Sequence, residues 1–191
     1  MNINTRNALT PLETSANGRL RVFSLYLDFP ASMRARWANG TISGLAGENW
    51  ITSAEMWKMD SLATSDSIRN MITSEAAKAD ILLIAVSSLN YRQSELIKWL
   101  ETLAAWPTDR QDTGLLIGLF GGDDDDSSEL NWTVKQCLNC SRPMNRDFIW
   151  QWMENGAMGD HSWLKNKLES FLGRRHLPDD ALLPGLPQAV V

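Results

Sequence analysis

Two histidines and two cysteines in 191 residues leave this sequence short of the groups that most often carry chemistry at neutral pH. His161 and His176 lie far apart in the chain and match no zinc-ligand spacing. Neither neighbours a candidate nucleophile, which argues against a Ser-His or Cys-His hydrolase. Cys137 and Cys140 form a lone CxxC with no second pair. That excludes a disulfide framework of the secreted kind and favours a reduced, cytoplasmic setting. A redox CxxC opens a helix after a strand, whereas this pair falls late in an amphipathic stretch, so two buried thiols are expected. Basic excess is also missing. Eighteen Lys and Arg against 23 Asp and Glu give a net charge of −5, which argues against nucleic acid as partner. No run approaches the roughly 20 apolar residues of a membrane helix. Residues 1–19 are polar, without the apolar centre of a signal peptide. A serine elbow, a Walker loop, a GxGxxG turn and an internal repeat are all absent.

Two unbroken apolar runs are present, Ile81 to Val86 and Leu115 to Phe120. A strand that is apolar on both faces must be covered on both, as in the middle of a parallel sheet between helices. Between the runs, Gln93 to Trp106 places Leu96, Ile97, Leu100, Leu103 and Ala104 on one helix face. Strand, helix and strand make a right-handed βαβ unit. Three further strands complete the pattern. Arg21 to Phe29 is mostly apolar, whereas Trp50 to Trp57 and Phe148 to Trp152 are mixed and suit edges. Pro30 opens a first helix, expected to bury Met33, Trp37 and Leu45 but weakened by Gly40, Gly44 and Gly47. Ser65 or Asp66 caps a second helix. Asp126 to Glu129 has capping-box spacing for a fourth, and Asp160 caps the last.

The sequence therefore predicts a doubly wound α/β domain with five parallel strands. Strands two and five carry the mixed faces, which fits the flavodoxin-like order 2-1-3-4-5, where those two lie at the edges. Residues 1–18 read as a flexible arm, 19–176 as a single domain and 177–191 as a tail. Nine tryptophans, spread from Trp37 to Trp163, supply packing and are also the residues that interfaces favour.

In a sheet of this order ligands lie beyond the carboxyl ends of strands one and three. The residues there are Asp28, Ser32, Ser87, Ser88, Asn90 and Tyr91, with Gly121 and Gly122 after strand four. Asp28 ties the turn into the first helix, or pairs with Asp60 as acid and base across the crevice. The run Asp123 to Asp126 places negative charge at a helix start and lacks the Gly and Glu of a calcium loop.

From Arg21 to Gly173 the layout resembles the receiver domains of bacterial response regulators. Those domains use paired acids after strand one, a phosphoacceptor aspartate after strand three and a lysine after strand five. Here the matching positions hold a single Asp28, then Ser87 and Ser88, then Gln151 and Trp152. The resemblance thus implies a receiver-like module that is not phosphorylated. The stretch Ala79 to Leu103, ADILLIAVSSLNYRQSELIKWLETL, also resembles flavodoxin-type FMN proteins and FMN reductases. That likeness implies that Ser87, Ser88, Asn90 and Tyr91 face a flavin. The family's phosphate loop of Ser, Thr and Gly is replaced by Asp28-Phe29-Pro30-Ala31-Ser32. Arg34 and Arg36, two apart on a helix, point in different directions. The expectation is a non-catalytic module that needs no cofactor and binds a protein partner or a second copy of itself. The alternative is a small-molecule site for FMN or another nucleotide, with reductase activity.

Overall fold

The computed structural model describes residues 18–47, 50–87, 93–108, 112–121, 127–153 and 161–175. The strands are β1 (Gly18–Tyr26), β2 (Trp50–Lys58), β3 (Ile81–Val86), β4 (Gly114–Phe120) and β5 (Arg146–Trp152). Helices α1 (Phe29–Ala46), α2 (Asp66–Lys78), α3 (Gln93–Ala104), α4 (Ser127–Ser141) and α5 (His161–Arg175) alternate with them, and a 3₁₀ turn (Met59–Ala63) follows β2. All strands are parallel and their order is β2-β1-β3-β4-β5. This is the doubly wound, flavodoxin-like sheet that the sequence predicts.

The two apolar runs are unbroken because successive side chains enter two different cores. Leu82, Ile84 and Val86 pack on the side of α2, α3 and α4. Ile81, Leu83 and Ala85 pack on the side of α1 and α5. In β4, Leu116 and Phe120 serve the first core, while Leu115, Ile117 and Leu119 serve the second. β2 keeps Ile51 57% exposed, as an edge strand can.

The first helix differs from expectation. Met33 is exposed and Trp37 and Leu45 are half-buried, while Ala31, Ala35, Ala38, Ile42 and Ala46 face the sheet. Small side chains let the helix sit close to the strands, so burial follows the alanines rather than the large residues. The helix continues past Gly40 and Gly44 to Gly47, whose φ of +58° and N–H to Ser43 O form the C-terminal cap. β1 also begins three residues earlier than predicted and ends at Tyr26, because Asp28 caps α1 and Phe29 is already helical. Ser65, not Asp66, caps α2, its hydroxyl accepting from Ile68 N at 3.2 Å. α3 stops at Ala104 and β5 starts at Arg146. The arm to residue 17, the tail from 176, Asp126 and Asp160 lie outside the described residues.

Cys137 and Cys140 are both buried and both free. Burial, reinforced by the neighbouring Cys140, pushes the Cys137 thiol up to about 12. Burial and then Glu101 push Cys140 up as well. A thiol held protonated is a poor nucleophile and a poor metal ligand, as expected for packing residues. No helix among the described residues is long and apolar enough to cross a membrane.

Candidate functional site

The order of the strands fixes where a crevice should form. β1 lies between β2 and β3, and the connections from β1 and β3 leave toward opposite faces of the sheet. Ligands of such folds sit at the carboxyl ends of these two strands. Leu27 N still bonds to Ala85 O at 3.1 Å, so the two strands stay joined up to Asp28.

Asp28 occupies the start of α1. Its backbone is extended and its Oδ1 accepts from Ala31 N at 3.0 Å. The other oxygen, Oδ2, accepts a short hydrogen bond from the Ser87 hydroxyl across the crevice. Both oxygens therefore have partners within the chain. Ser32 donates its hydroxyl back to Phe29 O at 2.7 Å, and its N–H closes the first turn onto Asp28 O at 2.9 Å. Pro30 has no N–H to offer. The helix start carries a carboxylate where an anionic ligand would need bare donors.

Behind this turn lies a residue whose role the sequence reading missed. Arg34 is only 7% exposed, and its Nη1 donates to Val86 O at 3.2 Å. Burial lowers its pKa from the usual arginine range, and the Asp28 carboxylate pulls it back up. The guanidinium packs against Gly121, where a Cβ would meet Arg34 Nη2 at 2.6 Å and Met153 O at 2.0 Å. Gly121 N also donates to Val86 O at 3.0 Å. Gly121 is thus needed for close approach, not for turn freedom. Arg34 shares the face of Ala31, Ala35 and Ala38, and that shared helical spacing was the available signal. Arg36, in contrast, is exposed, so the two arginines do point apart.

Of the predicted site residues, Asp28 and Ser87 touch, Gly121 packs on Arg34, and Ser32 turns to its own backbone. Ser88, Asn90, Tyr91 and Gly122 lie outside the described residues. Asp60 forms an ion pair with Lys58 at 2.5 Å, so the carboxylates of Asp28 and Asp60 each have their own partners. A serine beside an aspartate, with no imidazole between them, is not an activated nucleophile. Among the described residues no cluster of three or more His, Cys, Asp or Glu can hold a metal.

No protein-family model matches the sequence, and no curated protein matches it. Among solved structures the chain is similar to a short-chain flavodoxin associated with a PDU bacterial microcompartment. The identity is 14%, the match covers 83% of this chain and 99% of that one, and the TM-score is 0.52. At that identity the likeness shows the fold alone, a flavodoxin-like five-stranded α/β sheet.

Proposed function

We propose that this chain is a non-catalytic, receiver-like interaction module that acts by binding another protein. One observation carries the reading. The start of α1, where a fold of this kind would receive a phosphate, is already filled by the Asp28 carboxylate on Ala31 N and Ser87 Oγ. The residues present do not fit the phosphate of FMN, because a second anion there would meet that carboxylate, Pro30 has no N–H, and the Ala31 and Ser32 amides are already bonded to Asp28. Beside the filled helix start, Phe29 is 76% exposed and Met33, one turn on, is 42% exposed. Large apolar side chains in solvent next to each other favour a protein contact. The β5 edge offers a second such feature, with Trp150 40% exposed on a strand paired on one side only. Self-association through β5 and α5 is the version of this reading that needs no other partner.

A flavin site remains the second reading, supported by the fold it shares with a flavodoxin. Melting the protein with and without excess FMN separates the two. Ligand at about 100 times its dissociation constant would stabilise the native state by about 2.7 kcal/mol, a rise of roughly 5 °C or more. No rise is expected; a clear one overturns the interaction reading. Light scattering across a concentration series tests self-association, and a strict monomer at high concentration removes that version.

A further inference from the structure

A cleft of about 340 Å³ opens on the other side of the sheet's carboxyl rim, between the 3₁₀ turn, α2 and α3. Its buried lining is apolar, formed by Met59, Leu62 and Trp99. Its exposed lining is formed by Ala63 and Thr102 with three charged residues, Arg69, Glu95 and Lys98. An apolar hollow of this size with a few polar groups at its mouth is the usual form of a small-molecule site.

The walls are held before any ligand arrives. Arg69 Nε donates to Leu62 O at 2.8 Å and its Nη1 to Asp66 Oδ1 at 2.9 Å, which staples the turn to α2. Trp99 Nε1 donates to Thr73 Oγ1 at 3.1 Å, which fixes the indole plane. Thr73 in turn donates to Arg69 O at 2.7 Å. A pre-organised cleft loses little entropy on binding.

The groups at the mouth are not spent in the same way. The Lys98 ammonium and the Glu95 carboxylate have no hydrogen-bond or ion-pair partner among the described residues, and Arg69 keeps Nη2 to spare. Two donors and one acceptor thus stand over an apolar floor. An α-amino acid has the matching set, with a carboxylate for Lys98 and Arg69 Nη2, an ammonium for Glu95 and a side chain for the hollow. We infer that this cleft binds an apolar or aromatic α-amino acid. A simple fatty or aromatic acid would leave Glu95 facing apolar ligand, and an amine would leave Lys98 and Arg69 unanswered.

The test uses L-phenylalanine and its two halves, 3-phenylpropanoate and 2-phenylethylamine, against the full chain. The readout is the indole N–H resonance of Trp99, assigned by its shift in Thr73→Val. L-phenylalanine moves this resonance saturably, and each half-molecule binds more weakly. Lys98→Glu and Glu95→Lys each weaken phenylalanine binding by about fivefold, the size of a favourable exposed ion pair. Ala63→Trp, placed on the lining, abolishes the shift while the melting temperature holds. No saturable movement in the native chain overturns the inference, as does movement that survives Ala63→Trp. Equal binding of phenylalanine and either half overturns the amino-acid assignment, since the head group would then go unread.

Discussion

The two ends of the sheet are built from the same parts for different expected purposes. At the amino end, Asp80 Oδ2 accepts from Arg21 N at 2.7 Å and Oδ1 pairs with Arg175 at 2.8 Å. Buried Arg146 donates from Nη2 to Ala76 O at 3.0 Å, a last-turn carbonyl of α2 that also accepts from the capping Ala79 N–H at 3.3 Å. At the carboxyl end, Asp28 and buried Arg34 do the same work on Ser87, Ala31 N and Val86 O. A doubly wound fold needs only the first end closed, since ligands enter at the second. Among the described residues an aspartate and buried arginine fasten each end, and the carboxyl end differs in leaving Phe29 and Met33 in solvent.

The comparison breaks most sharply at Gly121. A Cβ there would lie 2.0 Å from the Met153 carbonyl oxygen, a backbone atom that cannot step aside. Gly121→Ala should cost about 3 kcal/mol or more, read by urea denaturation, with loss of folding as the extreme outcome. At the opposite end Arg146→Ala takes the guanidinium from Ala77 O and from Ala76 O, which keeps only the Ala79 N–H, and should cost about 1 to 3 kcal/mol. A larger cost for Arg34→Ala would make the carboxyl end the firmer of the two.

A further contrast comes from pH. Cys137, in the core near the amino end, has its thiol raised from 9.0 to about 12. Above pH 9.0 the unfolded chain releases this proton and the native chain keeps it, so stability must fall as pH rises toward 12. Cys137→Ala should flatten that alkaline decline while costing stability at neutral pH, both measurable by denaturation across a pH series.

A smaller effect sharpens the view of the carboxyl end. Asp28→Ala removes the α1 cap and should cost about 1 kcal/mol. With the carboxylate gone, inorganic phosphate should raise the melting temperature of the variant more than that of the native chain. Equal responses would show that Asp28 is not what closes the helix start. The smallest effect lies away from both ends. Nothing stands within 4 Å of a Cβ at Gly40 or Gly44, so alanine at either should stabilise by up to about 1 kcal/mol.

The fold was legible to the extent that burial has a period. Ile81 to Val86 reads as a strand covered on both sides, and the mixed strands suit edges. Asp28 as the tie into α1 was legible too, because a capping residue acts on its own neighbours. Arg34 was visible only as a cation near the site, since its burial depends on Gly121 and Val86, which approach from other strands. The alanine face of α1 was read wrongly for a related reason. Side-chain size suggests what should be buried, but the distance between helix and sheet decides what fits.

What the sequence determined by itself is local and periodic: strand and helix identity, the caps, and which strands stand in the middle. Hydrophobic period and capping chemistry act over a few residues, so the chain carries them in plain order. Tertiary structure alone decided the rest. The Asp28–Ser87 bond joins residues 59 positions apart, and the Arg146–Ala76 bond residues 70 apart. The cleft between Leu62 and Trp99 exists because two helices and a turn meet at a particular spacing. Contacts of that range are set by packing the whole sheet, which no single segment encodes.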